Sequence, residues 1–164
     1  MDKISPCLWF DGAAEEAARF YTSTFPNSRI EAINRSPGDN PSGLKDSVLT
    51  VDFTLAGRSY IALNGGPEFK FSEAISLSID CEDQAEVDRY WDALLSGGGE
   101  PSVCGWLKDR FGLSWQVVPR RLTEMFASPD RAAAERAMKA MLNMVKLDVD
   151  ELERAFAGEA VAAR

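Results

Sequence analysis

The 164-residue chain contains no histidine. Histidine is the usual general base near neutral pH and the commonest transition-metal ligand. Serine–histidine and cysteine–histidine nucleophile pairs are therefore excluded, and a zinc, nickel or iron site lacks its ordinary donor. An all-oxygen site for a hard cation stays open. Cysteine is scarce: Cys7, Cys81 and Cys104 are odd in number and lie in or just past expected strands, which speaks against a disulfide framework. Positive charge is outweighed, with 18 Lys and Arg against 26 Asp and Glu and a net charge of −8. That is the wrong sign for a phosphate backbone, so no nucleic-acid partner is expected. No stretch approaches the roughly 18 apolar residues of a membrane span. The start, MDKISPCLWFDG, lacks the basic region and apolar run of a signal peptide. A cytoplasmic location with no membrane partner is the expectation.

What is present is one plan written twice. The 45% hydrophobic and 27% charged content is that of an ordinary globular chain. Residues 4–66 and 74–119 each read as strand, helix, then strands. Ile4 to Phe10 is a strand and Asp11-Gly12 opens a helix to about Phe25. Ala74 to Ile79 is the second such strand, and Asp83 to about Leu95 the second helix, stopped by Gly97 to Gly99. Shifted by about 70 positions, Glu16 meets Glu86 and Arg19-Phe20-Tyr21 meets Arg89-Tyr90-Trp91. Each copy ends in a hairpin, Val48–Leu55 with Ser59–Asn64 and Val103–Lys108 with Leu113–Val118. The segment Asn34 to Asp46 is rich in Pro, Gly, Asn and Ser and reads as a mobile loop, either a plain connection or a lid. Beyond Pro119 the chain is helical. Arg131 to Val145 carries Met138, Met141, Leu142 and Val145 as a core or subunit-contact stripe, and a helix of about Val149 to Ala157 follows Asp148 as its cap.

Alternation separates the faces of each hairpin. Val51, Phe53 and Leu55 share one side; Thr50, Asp52 and Thr54 share the other. A three-residue turn, Ala56-Gly57-Arg58, sets Phe53 opposite Ile61 and Val51 opposite Leu63, which gathers Tyr60, Ala62 and Asn64 with Asp52. A four-residue turn, Asp109 to Gly112, sets Trp106 opposite Trp115 in the core and Gly105 opposite Gln116. Ile75, Leu77 and Ile79 pack inward, with Ser76 and Ser78 on the other side. Cys7 and Cys104 fall on packed faces as buried thiols. The mixed face, which also receives Leu8, Phe10, Leu107 and Val118, is either wetted or curled into a cavity; those apolar residues favour the cavity.

Three stretches, CLWFDGAAEEAARFY, AISLSIDCEDQAEVDRYWDALLSGGGEP and CGWLKDRFGLSWQVVP, together with the tail AERAMKAMLNMVKLDVDEL, resemble the PhnB-like group of the vicinal oxygen chelate superfamily. That superfamily includes glyoxalase I, extradiol dioxygenases and bleomycin-resistance proteins. The resemblance implies an α+β fold of duplicated βαβββ modules (1–66 and 74–119) forming a curved mixed sheet, the glyoxalase/bleomycin resistance/dioxygenase fold. It implies a domain over 1–119, with a C-terminal helical extension over 120–164. It also implies a homodimer. The four metal positions of the superfamily's enzymes carry over to Pro6, Ala62, Ala74 and Gln116, and Gln116 is the one retained candidate. A slip of one or two residues brings in Asp52, Glu73 or Asn64.

The reading that follows is a metal-free, cofactor-free protein binding a small organic ligand in a cup lined by Asp52, Tyr60, Asn64, Ser76, Ser114 and Gln116. Asp52 supplies the fixed charge, Asn64 and Gln116 directional amides, and Phe10 and Tyr60 flat apolar contact. The alternative is a lyase, isomerase or dioxygenase using a divalent metal held by Asp52, Gln116 and a neighbouring Glu. A third reading is a dimer module with a vestigial cavity. The group is sometimes labelled 3-demethylubiquinone-9 3-methyltransferase. A methyl-donor site calls for a glycine-rich turn between a strand and the following helix, whereas Gly97-Gly98-Gly99 follows a helix.

Overall fold

The computed structural model of the chain describes residues 2–159, which divide between Phe71 and Ser72 into two compact units. In the first, β1 (Cys7–Phe10) leads into α1 (Ala14–Thr24), then β2 (Arg29–Arg35), β3 (Val48–Leu55) and β4 (Arg58–Asn64). The sheet order is β1-β4-β3-β2, with β1 parallel to β4 and the other pairs antiparallel. The second unit repeats this with β5 (Ser76–Cys81), α2 (Gln84–Leu95), β6 (Glu100–Pro101), β7 (Trp106–Lys108) and β8 (Ser114–Pro119) in the order β5-β8-β7-β6. It continues into α3 (Arg120–Ala127), α4 (Arg131–Met141) and α5 (Val149–Ala157). The duplicated βαβββ plan with C-terminal helices is therefore present. Among the described residues no helix is long and apolar enough to cross a membrane.

Each helix covers one face of its own sheet. Ala14, Ala17, Ala18 and Tyr21 of α1 are buried, as are Val51, Phe53 and Ala62 of the sheet beneath. In the second unit Val87, Tyr90, Trp91 and Leu94 of α2 meet the layer of Ile79, Leu107, Trp115 and Val117. Each fully buried Val, Leu, Ile or Phe side chain among these contributes roughly 1.5–3 kcal/mol. Asp83 caps α2 by accepting from Glu86 N. Ala13 cannot do the same for α1, and Asn64 Oδ1 instead accepts from Ala14 N at 2.9 Å.

Both hairpins have loops one residue shorter than the sequence predicts. The first turns on Ala56 and Gly57 alone, both left-handed (φ 47° and 82°), with Leu55 paired to Arg58. Two-residue turns of this hand match the twist of the flanking strands. Phe53 therefore faces Tyr60 and Val51 faces Ala62. A one-residue slip moves a whole strand to the other face. Tyr60, Ala62 and Asn64 thus lie on the helix side, and Ser59, Ile61 and Leu63 join Asp52. The parallel pairing carries β1 with it: Leu8 and Phe10 align with Ala62 and Asn64 and are buried, not on the mixed face. Cys7 aligns with Ile61 on the open face and is exposed, not a packed thiol; Cys104 is half-buried.

In the second hairpin Asp109 N donates to Leu113 O, leaving a three-residue loop closed by Gly112 at φ 87°. Leu107 stands opposite Trp115, and Trp106 opposite Gln116. Leu107 takes the core place expected of Trp106, and Trp106 moves to the open face. Ile75 lies before the first ladder residue of β5 and is 71% exposed instead of packing inward.

The C-terminal helices share a buried cluster of Leu122, Met125, Ala137, Met144, Leu147 and Leu152. The methionine stripe does not form as expected. α4 stops at Met141, so its phase is not carried on to Val145, and Met138, Leu142 and Val145 are exposed while Met144 and Leu147 turn inward. Asp148 does cap α5, accepting from Glu151 N. Asn34 and Arg35 belong to β2, and the segment after them is tied by Ser36 N to Ser47 O, Asp46 N to Ser36 O, and an Asn40–Gly43 bridge.

Candidate functional site

The open face of the first sheet carries Asp52, half-buried between Thr50 and Thr54. Its Oδ2 accepts from Asn34 Nδ2 at 3.0 Å, and the same amide donates to Thr50 Oγ1. Cys7, Trp9, Ile61 and Leu63 line this face beside it. Although Cys7 is exposed, partial burial among these neighbours raises its thiol above the ordinary value. Two residues expected here are spent elsewhere. Tyr60 stacks on Phe53 at 5.5 Å between centroids, and burial pushes its phenol up against the opposing pull of Arg58. Asn64 uses Oδ1 on Ala14 N and Nδ2 on Val48 O, so both ends of its amide hold the fold together.

The open face of the second sheet brings the other three together. Cross-strand pairing lays Ser76, Ser114, Lys108 and Glu100 in one row and Ser78, Gln116 and Trp106 in the next. Gln116 Nε2 donates to Ser76 Oγ at 2.9 Å. Ser114 is 1% exposed and its Oγ has no hydrogen-bond partner. It lines a pocket of about 160 Å³ with Glu73, Glu100, Ser102, Trp106 and Lys108. Lys108 Nζ pairs with Glu73 Oε1 at 2.5 Å; the shared hydrogen bond holds the Glu73 carboxyl below, and the Lys108 ammonium above, their ordinary values. Sequence reasoning missed Trp106 and Lys108 in this setting because the register was one residue out. A three-residue loop closed by Gly112 was the signal that places them.

A larger groove of about 1110 Å³ lies along α2, α4 and α5, and its basic groups are matched. Lys146 pairs with Asp88, Lys139 with Glu135, and Arg136 donates to Ala155 O and Phe156 O.

The superfamily's metal does not fit the donors present. Pro6, Ala62 and Ala74 offer no side-chain donor, and Ala62 is turned to the helix side. The near substitutes are engaged: Asn64 in capping, Glu73 with Lys108, Asp52 with Asn34. Among the described residues no three His, Cys, Asp or Glu side chains cluster closely enough to hold an ion, and catalytic sites ordinarily need about three protein ligands. Nor do the glycines form a phosphate or methyl-donor cradle. Gly97 and Gly98 are left-handed after α2, and a Cβ on Gly99 would lie 2.9 Å or less from Leu95 Cα, Leu94 O and Lys108 O, so this run is a tightly packed helix stop.

Residues 2–118 match the family model described as 3-demethylubiquinone-9 3-methyltransferase. Among solved structures, the chain is similar to a PhnB protein from Bacillus cereus. The two are 35% identical over 70% of this chain and 97% of that one, with a TM-score of 0.63. A protein from Pseudomonas aeruginosa is 25% identical over 70% of this chain and 95% of its own, with a TM-score of 0.55. No curated protein matches the chain. The family match ends at Val118, so α3, α4 and α5 lie outside it.

Proposed function

The chain belongs to the PhnB-like 3-demethylubiquinone-9 3-methyltransferase family, and from that premise we propose that it binds a small organic molecule, without a metal, on the open face of the second sheet. One observation chiefly supports the reading. Ser76, Ser114 and Gln116 converge on that face beside Trp106, with the Ser114 hydroxyl buried and unmatched. A few directed polar groups next to a flat apolar wall are what a small-ligand site needs. Gln116 Nε2 is already oriented by Ser76, which leaves its carbonyl oxygen for a ligand donor. Asp52 is a separate polar position on the first sheet; Tyr60 and Asn64 drop out because they face α1. The reading extends to a cytoplasmic homodimer, the usual assembly of the superfamily, which sedimentation of the purified protein tests.

The deciding experiment is a fragment screen by NMR on protein purified without chelator, with its metal content measured alongside. Binding fragments should shift the Gln116 side-chain amide and the Trp106 indole, Gln116→Ala should weaken them, and bound metal should be well below one per chain. Stoichiometric metal that is lost in Gln116→Ala would replace this reading with a divalent-metal lyase, isomerase or dioxygenase.

A further inference from the structure

Resting on the reading that this face binds a small molecule, we infer that its ligand is a small planar oxyanion: a single ring or similar flat body bearing one carboxylate, with the charged end between Ser114 and Lys108 and the flat part on Trp106. The starting point is the Ser114 hydroxyl. A buried hydroxyl with no partner costs about 1–3 kcal/mol, and this one lines the 160 Å³ pocket of the second unit. Its neighbour across the β7–β8 ladder is Lys108, whose ammonium can only donate. Ser114 and Lys108 sit on adjacent strands and both line one small space, so their hydroxyl and ammonium form a donor pair for an oxygen anion.

The molecule already holds a substitute for that anion. The Glu73 carboxylate sits on Lys108 Nζ, from a side chain that is 64% exposed. Exposed ion pairs of this kind contribute little, at about 0–1 kcal/mol. A ligand carboxylate that also accepts from Ser114 Oγ makes one more hydrogen bond than Glu73 does and displaces it. The reverse charge is disfavoured, because a ligand cation would meet the Lys108 ammonium in the middle of the row. Glu100, paired across from Lys108 and exposed, limits the ligand to a single negative charge.

Size and shape narrow the class. An apolar protein cavity of about 150 Å³ takes up one benzene, so the 160 Å³ here has room for one ring. Trp106 forms the flat wall, half-exposed beside Gln116, and aromatic faces stack with offset on other flat groups. Gln116, on the same strand as Ser114, and Ser76, on the next strand, then lie beside it for a second polar substituent.

The test uses the full chain and three probes of one shape: benzoate, neutral benzamide and cationic benzylamine, followed by calorimetry and by the Trp106 indole and Gln116 amide resonances. Benzoate should bind saturably and about 10-fold or more tighter than either other probe, the gain of a charge-assisted hydrogen bond. Ser114→Ala and Lys108→Gln should each weaken benzoate by about 5- to 20-fold, as loss of one such bond does. Glu73→Gln should tighten it by a few-fold, since the competing carboxylate is gone; this variant touches only exposed groups and keeps the test clear of folding. If benzylamine or benzamide binds as tightly as benzoate, or if Glu73→Gln weakens benzoate, the oxyanion class is wrong and the small-molecule reading stands. If no probe moves either resonance in folded protein and the fragment screen is also empty, both readings fall.

Discussion

Leu147 occupies the space that a β-carbon on Gly105 would need. A Cβ placed there would lie 2.9 Å from Leu147 Cγ and Cδ1, and 2.9 Å from the carbonyl oxygen of Val117. The backbone around it is bound just as closely, with Cys104 N donating to Met144 O and Gly105 N to Val145 O. The turn between α4 and α5 is thereby stitched to the hairpin that carries Trp106 and Gln116.

Gly105→Ala should therefore be costly. It adds a methyl against the Leu147 side chain and the Val117 carbonyl oxygen and forces alanine to φ 80°. Overpacking and a left-handed alanine together are expected to remove about 2–4 kcal/mol. Urea denaturation reads this as a lowered midpoint at unchanged slope. A loss under half a kcal/mol would mean that Leu147 moves aside freely.

Asn64 closes α1 from outside, since that helix has no side-chain cap of its own. Asn64→Ala strips both its amide contacts and should cost about 1–3 kcal/mol. Asn64→Asp keeps the acceptor for Ala14 N but sets a carboxylate oxygen against Val48 O, so it should also destabilise while holding the α1 cap. Ligand binding at Gln116 should be unchanged in the folded variants; a loss of binding in Asn64→Asp would return Asn64 to the site.

Asp109 is 3% exposed and organises the second turn. Its Oδ1 accepts from Phe111 N and Leu113 N, and its Oδ2 from Trp115 Nε1 at 2.8 Å. Asp109→Ala leaves buried donors unmatched and should cost about 2–4 kcal/mol. Asp109→Asn should also destabilise, because an amide NH₂ turned toward the indole N–H sets donor against donor. The indole proton of Trp115, followed by NMR, should shift in both variants; an unmoved resonance would remove the carboxylate from this role.

The Cys81 thiol gives an alkaline pH dependence. Burial first, then the nearby charges of Glu86 and Asp80, push it from 9.0 up to about 12. Above pH 9 the unfolded chain releases this proton while the folded one keeps it, so the unfolded state binds fewer protons and stability falls as pH rises toward 12. The slope is about 1.4 kcal/mol per pH unit from this group. Cys81→Ala should flatten the fall in urea midpoint between pH 9 and 11. Parallel curves for the two proteins would show that Cys81 does not titrate late.

Much of the architecture was legible in local pattern. The match of Arg19-Phe20-Tyr21 to Arg89-Tyr90-Trp91 marked a duplication, and both segments lie on equivalent helices, α1 and α2. Asp148 announced a cap that the structure makes, and Asp83, read only as the start of its helix, caps that helix as well. The alternation in β3 correctly divided Val51, Phe53 and Leu55 from Thr50, Asp52 and Thr54. The candidate site was legible only by half. Ser76, Ser114 and Gln116 do share one face, but Trp106 and Lys108 belong with them while Tyr60 and Asn64 belong under a helix.

What the sequence by itself determined was therefore the order of elements, the repeat and the polarity along each strand, all of which follow from neighbours a few residues apart. Which face each returning strand presents was decided by the tertiary structure. Loop length sets that choice, and distant groups set loop length. The first turn is held at two residues because Ala56 N donates to Ser28 Oγ and Gly57 N to Asn27 O, which keep an alanine left-handed where only one glycine signalled a turn. The second is held at three by the Asp109 carboxylate and the Trp115 indole. One residue in a loop inverts a strand because side chains alternate with period two, so bonds reaching across the fold selected the residues that face a ligand.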